Sequence, residues 1–520
     1  MKREPSLPKN AGPLLFLAAA LLIFPGCLSK QAPGDRPLRI GIESGPTQLD
    51  PRFATDAYSG RIGNLIFSPL VRLDPSSRAA GDLAESWEVK DSTTLLFHLK
   101  KNLFFSDGAP LTSGDVKFTF DSILDPKTAS PHRKAYEIID RIDTPDDQTV
   151  LFKLKKPYSP FLTLLSKGIV SKKAVEKAGT DYALHPIGSG PYQLAEWIPD
   201  EKLVLTANPK FQGAPPGIKK LIIRVIPEDT IREMELQKGS LDLLENALPP
   251  DFLPFLEKDA HFQVIKSPGS AYAYLGLNLG DPVLSKLKVR QALAHGMNTS
   301  LIIQEILKGL GKPATGLLPP GHWAYEPDVE TYSYDPVLAA KLLDEAGLKP
   351  DPKTGIRFQL TYKTSQNDLA KRIGEVLQQE FKEIGVALDV RTFEWGTFYA
   401  DIRSGNFQVY SLRWIGVQDP DFYFDIFHSS SLPPLGANRG HYANREVDRL
   451  IEEGREEMDP LKRAFVYKKI QKIAAHDLPY ISLWTLDNVT VLKKDLSGFV
   501  PDPSGDFYLL KNLSWSKNPS

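Results

Sequence analysis

Apolar positions in this chain come in short runs whose period switches between two and about four, and Pro, Gly, Asp or Asn marks each switch. Leu38–Ile42 reads as a first strand, followed by a turn over 46–51. Leu95, Phe97 and Leu99 alternate with Leu96, His98 and Lys100 as in a half-buried strand, and Asp107-Gly108 supplies a turn. Thr112 and Asp115 then make a capping box for a helix through Val116, Phe120 and Ile123 that ends before Pro126. A strand over 221–226, a helix over 228–238 closed by Gly239 and a strand over 241–244 form a β-α-β unit. Further on, Asp335-Pro336 opens a helix stopped by Gly347, Asn367 caps one carrying Leu369, Ile373, Val376, Phe381 and Ile384 to Gly385, and Asp459-Pro460 opens a third through Ile470 and Ile473. With strands expected over 386–390, 407–412 and 480–483, the class is α/β.

One apolar run fits neither period. Lys2, Arg3 and Lys9 precede a stretch over 14–24 that is too short for a permanent membrane helix and right for a signal-peptide core. It stops at Pro25-Gly26-Cys27, where the chain's only cysteine stands. This end resembles the lipobox of bacterial lipoproteins, with Phe24 in the place of the usual aliphatic residue; the resemblance implies cleavage before Cys27 and lipid on its thiol. An ordinary signal peptide with an incidental cysteine is the alternative. Residues 28–37 form a polar tether, and no later stretch is long and apolar enough to span a bilayer.

Composition narrows the partners. With 63 basic against 64 acidic residues, the chain offers no nucleic-acid surface and no polybasic membrane patch, so partners are chosen by local sites. About 490 residues after the leader are too many for one core, and with no further cysteine no disulfide joins them. Ser189 lacks the first glycine of a nucleophile elbow, and neither a phosphate loop nor paired zinc histidines occur, so no catalytic set emerges and no cofactor is expected. The nine histidines are scattered, so no metal site is read either.

Several segments, in order, resemble the family 5 extracellular solute-binding proteins, the peptide, oligopeptide and nickel receptors of ABC importers. They are Leu83-Ala84-Glu85-Ser86-Trp87-Glu88, Phe105-Ser106-Asp107-Gly108-Ala109-Pro110-Leu111-Thr112 with Asp115-Val116, Gly188-Ser189-Gly190-Pro191-Tyr192 with Asn208-Pro209, and Val289-Arg290-Gln291-Ala292-Leu293. Taken singly they read as structure: Trp87 as core, Gly188, Gly190 and Pro191 as a tight turn. The resemblance implies a two-lobed clamshell of the periplasmic-binding-protein type (type II-like, cluster C) with three domains. These would be domain I over 38–80, 186–268 and 481–520, domain II over 81–185, and domain III over 269–480. It also implies a monomer on the extracytoplasmic side, tethered through Cys27, that passes short peptides to the permease subunits of an ABC transporter. A nickel or metallophore chelate, or an oligosaccharide, is the alternative solute.

The resemblance places the ligand near Trp395 and the segment Arg413-Trp414-Ile415-Gly416-Val417-Gln418-Asp419-Pro420-Asp421, with Tyr274 also among the ligand-binding candidates. Aromatic walls suit a ligand whose side chains vary. Peptide-binding members carry an aspartate three residues after the tryptophan to pair with the ligand ammonium, and this chain has Val417 there. Asp419 either takes over that role or, with Pro420, opens the helix containing Phe422 and Phe424. Lys371 and Arg372 match the place of a carboxylate-binding arginine in some dipeptide receptors, and equally suit a solvated helix face.

Overall fold

The computed structural model describes residues 36–516. Cys27, the apolar run before it and most of the tether lie outside the described residues. Leu38–Ile42 sits between Lys220–Val225 and Leu243–Glu245, parallel to both, with helix Asp229–Gln237 as the crossover between its neighbours. Buried on both faces, such a strand needs a nearly continuous apolar run, as its sequence has. Lys202–Ala207 and Tyr192–Ile198 extend this sheet antiparallel.

Two long strands, Phe262–Leu277 and Tyr480–Lys493, pair antiparallel and carry the sheet from this first half into a second. At one end Tyr480–Lys493 meets Leu243–Glu245; at the other Phe262–Leu277 meets Val409–Trp414, beyond which Phe358–Ser365 and Val386–Phe393 continue in parallel. The register of the ribbon shifts between Pro268 and Ala271, and the Ser270 N–H there donates to the Pro503 carbonyl instead of to the partner strand. A bulge of this kind bends a ribbon, so this is where the chain turns from one half to the other. The second half is cored twice, around Leu275, Leu293 and Phe381 on one face of the sheet and around Tyr274, Tyr410 and Tyr467 on the other.

Against the first half lies a separate four-stranded sheet, in the order Ala84–Asp91, Thr94–Leu99, Thr149–Leu154, Ile139–Asp146. Its core is a cluster of rings in which Phe97, Phe120 and Phe161 each meet Phe152 edge-on. Trp87 stacks on Phe97 from the partly exposed side.

The cap signals act where the sequence has them. Asp115 accepts the Thr112 N–H at 3.0 Å, Asp335, Asn367 and Asp459 cap their helices through side-chain oxygens, and Gly239, Gly347 and Gly385 end theirs at positive φ. Several strands differ in extent from expectation: that over 241–244 is Leu243–Glu245 and that over 386–390 runs to Phe393. The strand expected over 407–412 is Val409–Trp414, and the one expected over 480–483 runs on to Lys493. In the latter Thr485, Asp487, Asn488 and Thr490 break the alternation, because they lie where the ribbon crosses between halves and the backbone pairs whatever the side chains are.

Candidate functional site

Helix Ala57–Ile66 is capped by Asp56 and buries Tyr58, Ile62, Leu65 and Ile66, which leaves Gly60 and Gly63 on the opposite face. Its C-terminal end is held by Gly188 and Gly190: a Cβ there would stand 2.0 Å from the Ile66 carbonyl oxygen and 2.6 Å from that of Leu65, so only glycine fits. A cavity of about 550 Å³ lies between the two halves, lined by Arg72, Lys100 and Ser166 from one and by His322, Val417 and Gln418 from the other. Asn64 and Ser166 also line an adjoining cavity of about 320 Å³ beneath the Gly60 and Gly63 face.

The halves touch beside these cavities. The Thr163 hydroxyl donates to Asp419 at 3.1 Å and the Tyr158 hydroxyl donates to Asp421 at 3.1 Å. Ser159 donates its N–H to the Arg455 carbonyl at 2.8 Å and its hydroxyl to that of Gly454 at 3.0 Å. Asp419 is spoken for within its own half as well: Arg463 grips both oxygens at 2.6 and 3.0 Å, and the Asp421 N–H donates at 2.8 Å. Burial works to raise this carboxyl, but the Arg463 guanidinium overrides it and holds the group below its ordinary value. Asp421 goes the other way; burial pushes it up to about 6 against the pull of Arg455, whose Nε lies 3.0 Å away.

Above this contact an aromatic column rises. Trp414 stacks on Tyr274 at 5.8 Å and Tyr274 on Tyr480 at 4.1 Å. Arg439 enters from the side, its guanidinium 5.0 Å from the Trp414 ring and donating to the hydroxyls of Tyr274 at 3.4 Å and Tyr399 at 3.2 Å. Tyr399 in turn carries Trp395, stacked at 5.7 Å and 55% exposed.

Residues 78–432 match the family profile described as bacterial extracellular solute-binding proteins, family 5, middle region. The chain belongs to this family. The dipeptide-binding protein of Escherichia coli (strain K12) is 30% identical over 461 residues, 83% of this chain and 85% of that one. Among solved structures, NikZ from Campylobacter jejuni in complex with Ni(L-His) is 28% identical with a TM-score of 0.78, covering 92% of this chain and 99% of its own. The oligopeptide-binding protein AppA of Bacillus subtilis, solved with a nonapeptide, is 27% identical with a TM-score of 0.76, covering 93% and 99%. The fold is therefore the two-lobed clamshell of cluster C binding proteins, the two halves being its lobes.

In this family 5 protein Trp395, Trp414 and Tyr274 come together through Arg439 and Tyr399, two residues that no pattern in the sequence singles out. Arg413 stands beside Trp414, opposite Ala273, exposed and without an ion pair among the described residues. Arg372 lies apart, 43% exposed and 3.6 Å from Asp251, and Lys371 is exposed beside it; neither lines the inter-lobe cavity. Asp419 neither faces that cavity nor has an oxygen left for an ammonium; its carboxylate braces the turn before helix Phe422–Phe427 and links the lobes. Val417, at the position where the resemblance led to the expectation of an acid, does line the cavity.

Proposed function

We propose that this protein captures short peptides between its lobes and delivers them to the permease of an ABC import system, working as a monomer held at the outer face of a bacterial membrane by lipid on Cys27. In this reading 38–80, 186–268 and 481–520 form the first domain, 81–185 the second and 269–480 the third, and the peptide is bound without being cleaved. The observation that carries it is the cavity of about 550 Å³ walled by both lobes, in a family 5 chain similar to a dipeptide-binding protein. Calorimetry of the purified protein with di- to pentapeptides should give binding with release of intact peptide. A panel that leaves the protein unbound would overturn the reading.

The likeness to NikZ favours one second reading, a nickel–amino acid chelate. Among the described residues no three His, Cys, Asp or Glu side chains are grouped to hold a metal, so the metal would arrive with its own chelator. Binding of nickel with histidine, in the absence of any peptide binding, would select this reading.

A further inference from the structure

The smaller cavity holds one charged side chain. Lys167 reaches into it from the loop after helix Phe161–Leu164, and no carboxylate lies within ion-pair distance of its ammonium among the described residues. Its one polar neighbour is Nε2 of His132 at 3.3 Å. That nitrogen is 2.8 Å from the Ala54 carbonyl oxygen, a separation two acceptors would not hold, so Nε2 carries the hydrogen and donates it to Ala54. It then has no lone pair for Lys167, and all three ammonium hydrogens are without an acceptor among the described residues. The acid whose charge reaches it, Asp50, is committed to Arg52 through both oxygens. Burial meanwhile pushes the Lys167 ammonium down to about 8, the mark of a cation held out of water without a partner.

The other walls leave room for a ligand group. Gly60 and Gly63 turn bare backbone toward the cavity, and a Cβ built on either meets nothing within 4 Å. Ser59 and Ser166 spend their hydroxyls on Asp56 and Thr163, and Asn64 donates an amide hydrogen to Asp506, so among the described residues of the lining Lys167 is the charged donor left without an acceptor. With Arg52 committed to Asp50, Lys167 is, among the described residues, the one cation lining this cavity, which matches a monoanion better than a phosphate dianion.

We infer that Lys167 is a specificity residue that receives a ligand carboxylate in the cavity beneath Gly60 and Gly63, so that the bound peptide's group at this point is acidic rather than an ammonium. This rests on the peptide reading above. It agrees with Val417, an apolar residue at the point of the adjoining wall where the resemblance expects the acid that would pair with an ammonium.

The test is calorimetry on the full-length protein with matched ligand pairs. Tripeptides of alanine carry Glu or Gln at each position in turn, each with a free or an amidated C-terminus, and glutarate is set against glutaramide. The expected result is that at least one carboxylate form binds about 10- to 100-fold more tightly than its amide, that Lys167→Met abolishes the preference, and that Lys167→Arg keeps it. The Glu and Gln pairs identify a side-chain carboxylate, the amidated C-termini the terminal one. An unchanged preference in Lys167→Met, or none in the wild type, overturns the inference. Should only glutarate show the Lys167-dependent preference, the peptide reading falls and the carboxylate site stands. Because Lys167→Met removes an unpaired buried charge, it is not expected to unfold the protein, and Gly63→Leu, which fills the cavity from the other side, should abolish the same preference independently.

Discussion

On one wall of the cleft each buried carboxylate meets a guanidinium, while the facing wall leaves an ammonium with none. Asp419 and Asp421 are buried against Arg463 and Arg455 and reach across to Thr163 and Tyr158. Lys167 is also largely out of water, yet its surroundings are an imidazole that must itself donate, bare helix backbone, and hydroxyl and amide groups committed to other partners. The sign and burial of a charge thus say less about its role than whether the protein answers it. Charges answered from within the same lobe build the contact surface between lobes, and one left unanswered in a cavity is available to a solute.

Removing one partner from each wall should separate the two kinds of charge. Arg463→Met strands Asp419 and is expected to lower unfolding stability by about 3–5 kcal/mol, measured in urea. Lys167→Met should leave stability unchanged or slightly raise it, since it relieves an unpaired cation. Equal losses from both variants would show that Lys167 has a partner in solution and would end the comparison.

The next effect is on binding alone. Gly63→Leu projects a side chain into the smaller cavity, where a Cβ meets nothing within 4 Å, and in a helix interior leucine is favoured over glycine by up to about 1 kcal/mol. Stability should hold or rise while the affinity for acidic peptides falls by well over 10-fold. Tyr158→Phe, by contrast, removes one hydrogen bond to Asp421 and should cost about 1–2 kcal/mol of lobe closure, read as a more expanded ligand-free protein by small-angle scattering.

The two walls should also respond to pH in different windows. The Lys167 ammonium is depressed by burial to about 8, with His132 and Asp50 as the titratable groups facing it, and a carboxylate needs it protonated. The preference for Glu over Gln peptides is therefore expected to be level below about pH 8 and to weaken as pH rises through it. In the ligand-free protein the sign reverses: the unfolded lysine holds its proton more tightly, so between about pH 8 and 10 stability gained from this group rises with pH. Asp421, raised to about 6 by burial with Arg455 opposing, favours the folded form when protonated, so its contribution is lost as pH climbs through 6. Asp421→Asn should flatten that acidic window without touching the alkaline one.

How far these features were legible beforehand depended on sequence distance. Caps such as Thr112 with Asp115 act over three residues, so the helices they open stand where the pattern placed them. The crossing strand Tyr480–Lys493 was legible only in its apolar start, since its hinge portion owes its pairing to backbone and its side chains to the inter-lobe surface. Asp419 looked free because Arg463 lies 44 residues on, and no spacing rule joins them. Lys167 and His132 are 35 residues apart, and nothing in the sequence around Lys167, which follows Leu164-Leu165-Ser166, singled it out. Tyr274, Trp395 and Trp414 carried the aromatic signal, but Arg439, which binds the column together, had none.

The smallest expected effect concerns that column. Trp395 is 55% exposed and rests on the rings of Tyr399 and Phe398 one turn of its own helix away, so Trp395→Ala should change unfolding stability by less than about 0.5 kcal/mol. If its free face is part of the peptide wall, the same substitution removes ring area from the bound state alone, and affinity for peptides with a large apolar residue should drop about fivefold while that for trialanine barely moves. Tryptophan emission supplies the second measurement, because a ring that becomes covered on binding shifts to the blue and the shift disappears in the variant. Equal affinities in both proteins, with no loss of the blue shift, would confine Trp395 to shielding Tyr399 and Arg439 and leave the ligand contacts to the cavities below.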